Sequence, residues 1–236
     1  MEVGKLVKSR PLGDGLIVLR LLKLDADDDR FVTIFGDFAN LIRRSEDACE
    51  QAGAQDNPAY ADHVIDAECD YLEELIGASF LVLQAKIRRV SVAAEKLRSF
   101  MRDKHKIDIS VLAHDKVMGL GGPYRGTRCS KVQLIWDVGN YYKHRDEWKT
   151  AVWKNDPANE KQFAQPRKTR RAAELVGITK GATGNLRTAF EFFGVHPYSN
   201  CGLLAEEVQA WAKDVLQLAR TRMETERAKR ALSEKK

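Results

Sequence analysis

The chain has no long apolar run. Its longest uncharged stretch of that kind, Leu75 to Leu83, falls far short of the roughly 20 residues a spanning helix needs, so no membrane partner is expected. Metal-binding cysteine spacing is also missing. Cys49, Cys69, Cys129 and Cys201 form no CxxC or related ligand pair, so neither a metal site nor a cofactor is expected. Arg10 and Asp14 come early, and no small-residue cleavage site marks a secretory leader. The thiols are therefore expected to be reduced, in a soluble cytoplasmic protein. Gly119, Gly121, Gly122 and Gly126 lack the Lys-Ser/Thr ending of a nucleotide-phosphate loop and read as turns. There is no internal repeat, no low-complexity segment, and no Ser or Cys nucleophile with a base nearby in sequence. His63, His114 and His196 are isolated and read as packed or exposed. Neither sign of charge dominates: 39 Lys and Arg against 34 Asp and Glu leave +5, compatible with a polyanion without requiring one.

What is present points to helices. Charged residues make up 31% of the 236, which suits long helices with solvated faces, and the 44% that are hydrophobic suffice for a core. Between Tyr60 and Lys104, Ile65, Cys69, Leu72 and Ile76 are spaced 4, 3, 4, and Phe80, Leu83, Ile87, Val90, Ala94, Leu97 and Met101 continue the alternation. The step from Ile76 to Phe80 is one residue too long and shifts the seam around Gly77. Such a seam packs lengthwise in a bundle or, alternatively, against another chain. Acids from Asp25 to Asp29 precede the stripe Phe31, Ile34, Phe35, Phe38 and Ile42, a helix start. Leu204, Val208, Trp211, Val215 and Leu218 mark a last helix, with a charged, projecting end beyond Arg220.

The fold class expected is all-α: a helical bundle with long antiparallel helices near 27–52, 60–103, 130–145 and 203–228. Residues 1–153 and 201–236 would form its core, and 154–200 a small helical insertion. Residues 1–24 read equally as a buried strand or a short helix, and 105–129 read as a loop.

One helical run gathers the polar chemistry: Ile135 to Trp148, IWDVGNYYKHRDEW. At 3.6 residues per turn, Val132, Ile135, Trp136, Gly139 and Tyr142 form an apolar stripe, while Asp137, Asn140, Tyr141 and His144 share another face. Lys143 projects toward the stripe, where it must snorkel, pair with an acid, or sit at an opening. Gly139 costs about 1 kcal/mol against Ala in a helix, so something should approach its backbone closely. Asn140 and His144 could merely be solvated. The same geometry also suits phosphodiester chemistry without a metal, His144 acting as base while Asn140 and Lys143 hold or orient the phosphate group. Arg145, Asp137 and Tyr141 are then candidate substrate contacts.

An all-helical chain with long antiparallel helices and a polar Asn-to-His motif on an inner helix resembles the HEPN superfamily, over residues 27–150 and 203–220. In that family an Arg, often followed by Asn, precedes a His by four to six intervening residues. Here Asp137 stands six intervening residues before His144, and Arg98 stands at that spacing from His105. The resemblance implies a metal-independent RNase, or a degenerate RNA-binding relative, of a defence or toxin–antitoxin system. RNA would be its substrate, an antitoxin a partner, and a homodimer the form that pairs two motifs.

A second constellation offers a different class of function. Ala173, Gly177, Ile178 and Leu186 match the spacing of a helix-turn-helix. Arg167, Lys168, Arg170 and Arg171 before it, and Lys180 and Arg187 after it, would suit phosphate contacts in a non-enzymatic nucleic-acid binder. Gly181 and Gly184 would weaken its recognition helix, so two short helices with a glycine-rich turn fit the same residues. A helical module that binds a protein partner is the remaining alternative.

Overall fold

The computed structural model describes residues 19–20, 22–23, 29–148, 150–153, 161 and 163–233. In chain order its helices are α1 (Asp29–Gly53), α2 (Pro58–His105), the short α3 (His114–Met118), α4 (Lys131–His144), the single turn α5 (Thr150–Trp153), α6 (Ala164–Leu175), α7 (Asn185–Phe192) and α8 (Gly202–Ser233). No strand occurs among the described residues, and the all-α bundle read from the sequence is the observed class. Most of the strand-or-helix question at 1–24 lies outside the described residues. Positions 19–20 and 22–23 are helical, and Leu22 is fully buried.

Local chemistry sets the helix ends. Asn57 caps α2 by accepting from the Tyr60 amide at 3.3 Å, and Pro58 enters at the first turn, where no N–H is needed. Lys106, at φ 54°, closes the other end in the left-handed region. Ser130 caps α4 as its sequence position suggested, accepting from the Gln133 amide at 3.1 Å while its hydroxyl donates to the Met118 carbonyl. The segment read as a loop at 105–129 is partly helical, with a 3₁₀ turn at Ser110–Leu112 and then α3. Leu112, Val117 and Met118 are buried there, and the glycines that stop helices begin only at Gly119.

α2 is the axis of the molecule, packing on α1, α4, α7 and α8. Its seam is the core: Ile76, Phe80, Leu83, Ile87 and Val90 are fully buried, each worth roughly 1.5–3 kcal/mol relative to exposure. The seam shift at Gly77 has a cause, because the Tyr142 ring of α4 lies where a Cβ would stand, 2.1 Å from that point. Gly139 is approached as its sequence position suggested. A Cβ there would meet the Phe80 carbonyl oxygen and the Gln84 Cβ at 3.1 Å, so α2 and α4 touch backbone to backbone. Phe190 and Phe193 reach Phe80 at ring distances of 5.2 and 6.0 Å, which joins residues 186–195 to the same core.

α2 is also segregated by charge. Asp62, Asp66, Glu68, Asp70, Glu73 and Glu74 lie in its first half, with no Lys or Arg before Lys86. Arg88, Arg89, Lys96, Arg98, Arg102 and Lys104 follow in its second half.

Candidate functional site: two clefts that meet at Asn140

α4 lies between α2 and α6, so nearly its whole circumference is covered. Of the four residues that periodicity puts on one face of α4, Asp137 and Tyr141 are only 3% and 7% exposed. Helical spacing fixes which residues are neighbours, but not that α6 and the α7 cap would cover two of them.

Asn140 and His144 do converge, lining a cleft of about 460 Å³ with Glu147, Trp148, Phe163 and Thr169. His144 is part-exposed there, with its Nδ1 3.0 Å from Glu147 Oε2. A proton on Nδ1 facing that carboxylate leaves Nε2 as the basic nitrogen of the neutral ring. Trp148 packs edge-on against Tyr141 and Trp153 at 5.5 and 5.6 Å, giving the cleft an aromatic wall.

A second cleft, of about 520 Å³, lies on the other side of Asn140, lined by Gln84, Arg88, Arg89, Trp136 and Lys143. Lys143 is exposed in it beside Trp136, which answers how a lysine sits next to the apolar stripe. Asn140 is held rigidly between the two. Its Oδ1 accepts from Gln84 Nε2 at 2.7 Å, and its amide hydrogen-bonds Asp137. The Gln84 amide also donates to the Trp136 carbonyl at 3.1 Å. A primary amide has two N–H donors, so one remains for a ligand.

Asp137 faces a third, smaller cleft between α4 and α6, beside Lys168 and Arg171. Burial pushes its carboxyl up to about 6, against the opposing pull of Gln133 Nε2 at 2.8 Å, Lys168 and Asn140. Arg145 departs from its expected place. Its guanidinium pairs with Glu74 and lies 4.7 Å from the Tyr142 ring centroid, in an acidic cavity away from His144. The Tyr142 hydroxyl, with the Arg145 charge, holds the Glu74 carboxyl below its ordinary range. Tyr141 is spent internally, accepting from Asn185 Nδ2 at 3.1 Å.

The basic run at 167–171 is not a solvent-facing strip. Arg167 and Arg170 are buried, and Arg170 donates to the Trp153 carbonyl at 2.7 Å and faces Glu174 at 3.4 Å. Lys168, Arg171 and Lys180 are exposed, whereas Arg187 is bound to Glu73 at 3.3 Å. α6 and α7 are separated by residues 176–184, longer than the three or four residues of a helix-turn-helix, and Leu186, Ala189 and Phe190 of α7 are buried in the core. The α7 N-terminus is itself occupied: Glu73 accepts from the Leu186 and Arg187 amides at 2.9 and 3.4 Å.

Sequence reasoning missed Gln84, Arg88, Arg89, Glu147 and Phe163. Arg88 and Arg89 fall between Ile87 and Val90 of the seam, so helical phase puts them on the outer face. Only the α2–α4 packing brings that face to Asn140. Arg98 and His105, which match the family spacing literally, stand at the far end of α2, where Arg98 pairs with Glu95 at 2.5 Å. Among the described residues, no group of three or more His, Cys, Asp or Glu is placed to hold a metal ion, and no helix is long and apolar enough to cross a membrane. No family model, curated protein or solved structure matches the chain.

Proposed function

We propose that the paired clefts at Asn140 bind single-stranded RNA and cleave it without a metal, as a HEPN-like RNase of a defence or toxin–antitoxin system would. The observation carrying this reading is that one locked amide, Asn140, lines both the His144 cleft and the cationic Arg88–Arg89–Lys143 cleft. The backbone phosphates lie along the cations, and bases stack on Trp148 or Trp136. His144 Nε2 takes the proton of a ribose 2′-hydroxyl, oriented by Glu147 through Nδ1. The 2′-oxygen attacks phosphorus, the bond to the 5′-oxygen breaks, and that oxygen takes a proton from solvent. Asn140 and Lys143 stabilise the negative charge that builds on the phosphate oxygens. Within the same reading, the cytoplasm is the site of action, and a second copy or a small antitoxin is the protein partner.

The test is incubation with structured and unstructured RNA in excess EDTA, followed by analysis of the ends. We expect 2′,3′-cyclic phosphate and 5′-hydroxyl products, and a loss of roughly 10²- to 10⁴-fold in rate for His144→Ala. Undiminished cleavage by that variant removes His144 from the mechanism. If no RNA is cut but binding weakens on Arg88→Glu and Arg89→Glu, the clefts serve RNA binding alone.

A further inference from the structure

The two clefts at Asn140 offer a ligand different things. Arg88, Arg89 and Lys143 line one, whereas among the described residues no Lys or Arg lines the His144 cleft. The walls of the latter are largely apolar: Trp148, Phe163 and Pro166 are half-buried and Val152 is buried. Thr169 also lines this cleft and is only 4% exposed. Among the described residues its hydroxyl has no hydrogen-bond partner. A threonine inside a helix can donate to the carbonyl four residues back. Thr188 and Thr225 of this chain do so, at 3.1 and 2.8 Å, and Thr169 does not. Gln165, one helical turn before it on α6, is exposed and lines the same cleft, so an amide and a hydroxyl share one face. Buried polar groups are nearly always paired, so a hydroxyl left open on a cleft wall marks the place of a ligand atom. A phosphate does not suit that place, because the apolar walls would desolvate its charge and the Glu147 carboxylate would repel it. A nucleobase does suit it. Its flat face stacks on an aromatic ring, its edge carries donors and acceptors for Thr169 and Gln165, and about 460 Å³ is room for one nucleoside.

We propose that the His144 cleft seats one unpaired base of the RNA, its edge read by the Thr169 hydroxyl and the Gln165 amide, while the Arg88–Arg89–Lys143 cleft holds phosphates. The seat rests on the RNA reading and goes beyond it, because it makes Thr169 the residue that decides which base is bound. Phosphate contacts position a strand without reading it, and base-edge contacts supply the discrimination. A hydroxyl is both donor and acceptor, but a base presents it with one or the other at a fixed place, so the exchange of one base for another leaves a buried group unpaired. Only a base outside a duplex has that edge free, which ties the seat to single strands, loops and bulges.

The experiment measures binding of the full chain to short 2′-O-methyl oligomers of adenosine, cytidine and uridine, which cannot be cleaved, by fluorescence anisotropy over a range of salt. We expect the parent to prefer one of the three by about 10-fold or more. Thr169→Val, which keeps the shape and loses the hydroxyl, should level the affinities and leave the salt slope unchanged. Thr169→Ser should retain the preference. Gln165→Ala, at an exposed position, should narrow it without disturbing the fold. Phe163→Ala should weaken all three roughly 5- to 100-fold through lost stacking. Arg88→Glu should weaken all three alike and make the salt slope shallower, as a phosphate contact does. Equal affinities in the parent, or a preference that survives both Thr169→Val and Gln165→Ala, would overturn the base seat and leave the RNA reading standing. Binding to none of the three would overturn both. A preference that Thr169→Val abolishes, in a chain that cuts no natural RNA, would uphold the seat and remove the nuclease.

Discussion

Gly77→Ala should destabilise the chain, although alanine is the better helix former. At an exposed helical site this change gains about 1 kcal/mol. At position 77 the new methyl would stand 2.1 Å from the Tyr142 ring, measured to atoms in the middle of that side chain. The ring cannot simply slide. Its hydroxyl donates to Glu74 at 2.5 Å, and the Arg145 guanidinium lies over its face. Making room costs about 1–3 kcal/mol of overpacking, and losing the Glu74 bond adds about 1 kcal/mol. Against the propensity gain, the net is a loss of about 1–3 kcal/mol. Tyr142→Ala empties the space, so Gly77→Ala added to that variant should stabilise by about 1 kcal/mol. Urea denaturation of the four proteins, followed by circular dichroism at 222 nm, gives the cycle. The same sign in both backgrounds would refute the assignment of Gly77 to the Tyr142 contact.

Asp137 should make stability fall as pH rises from about 4 to about 6. Its carboxyl titrates near 6 in the folded chain against an ordinary 3.8, so the native state binds the proton more tightly and loses that advantage as pH passes through the folded value. The loss is on the order of 3 kcal/mol. Asp137→Asn should therefore match the parent near pH 4 and exceed it at pH 7.5 in urea denaturation; parallel curves at both pH values would show that burial does not oppose this charge. Glu73→Ala should cost about 1–2 kcal/mol by uncovering the Leu186 and Arg187 amides. Faster amide exchange should appear first in α7, and uniform acceleration across the bundle would contradict a local cap.

The sequence carried the fold wherever one helix face decided the outcome. The 4, 3 alternation from Leu72 to Met101 lies on the buried side of α2, and even its irregular step at Gly77 marked a real contact. The candidate site was half legible, because Asn140 and His144 share a face by geometry alone. Burial of Asp137 and Tyr141 was not legible, since it depends on α6 and Asn185 arriving from later in the chain. Arg88 and Arg89 were hidden for the opposite reason. Their outward phase is evident, but their meeting with Lys143 depends on how α4 crosses α2. The same limit applies to Arg145, whose charge is taken by Glu74 on a different helix.

On the proposed RNA reading, the charge segregation of α2 has a consequence for how the polyanion arrives. Asp70 and Arg89 stand on one continuous helix, roughly 28 Å apart along it at 1.5 Å per residue. That separation exceeds a physiological Debye length of about 8 Å, so the two ends act on an approaching polyanion as separate poles. One pole repels and the other attracts, which turns the molecule during encounter before any contact forms. Adding salt should therefore slow association far more than it speeds release, and reversing Asp66 and Asp70 to lysine should raise capture while spoiling its direction.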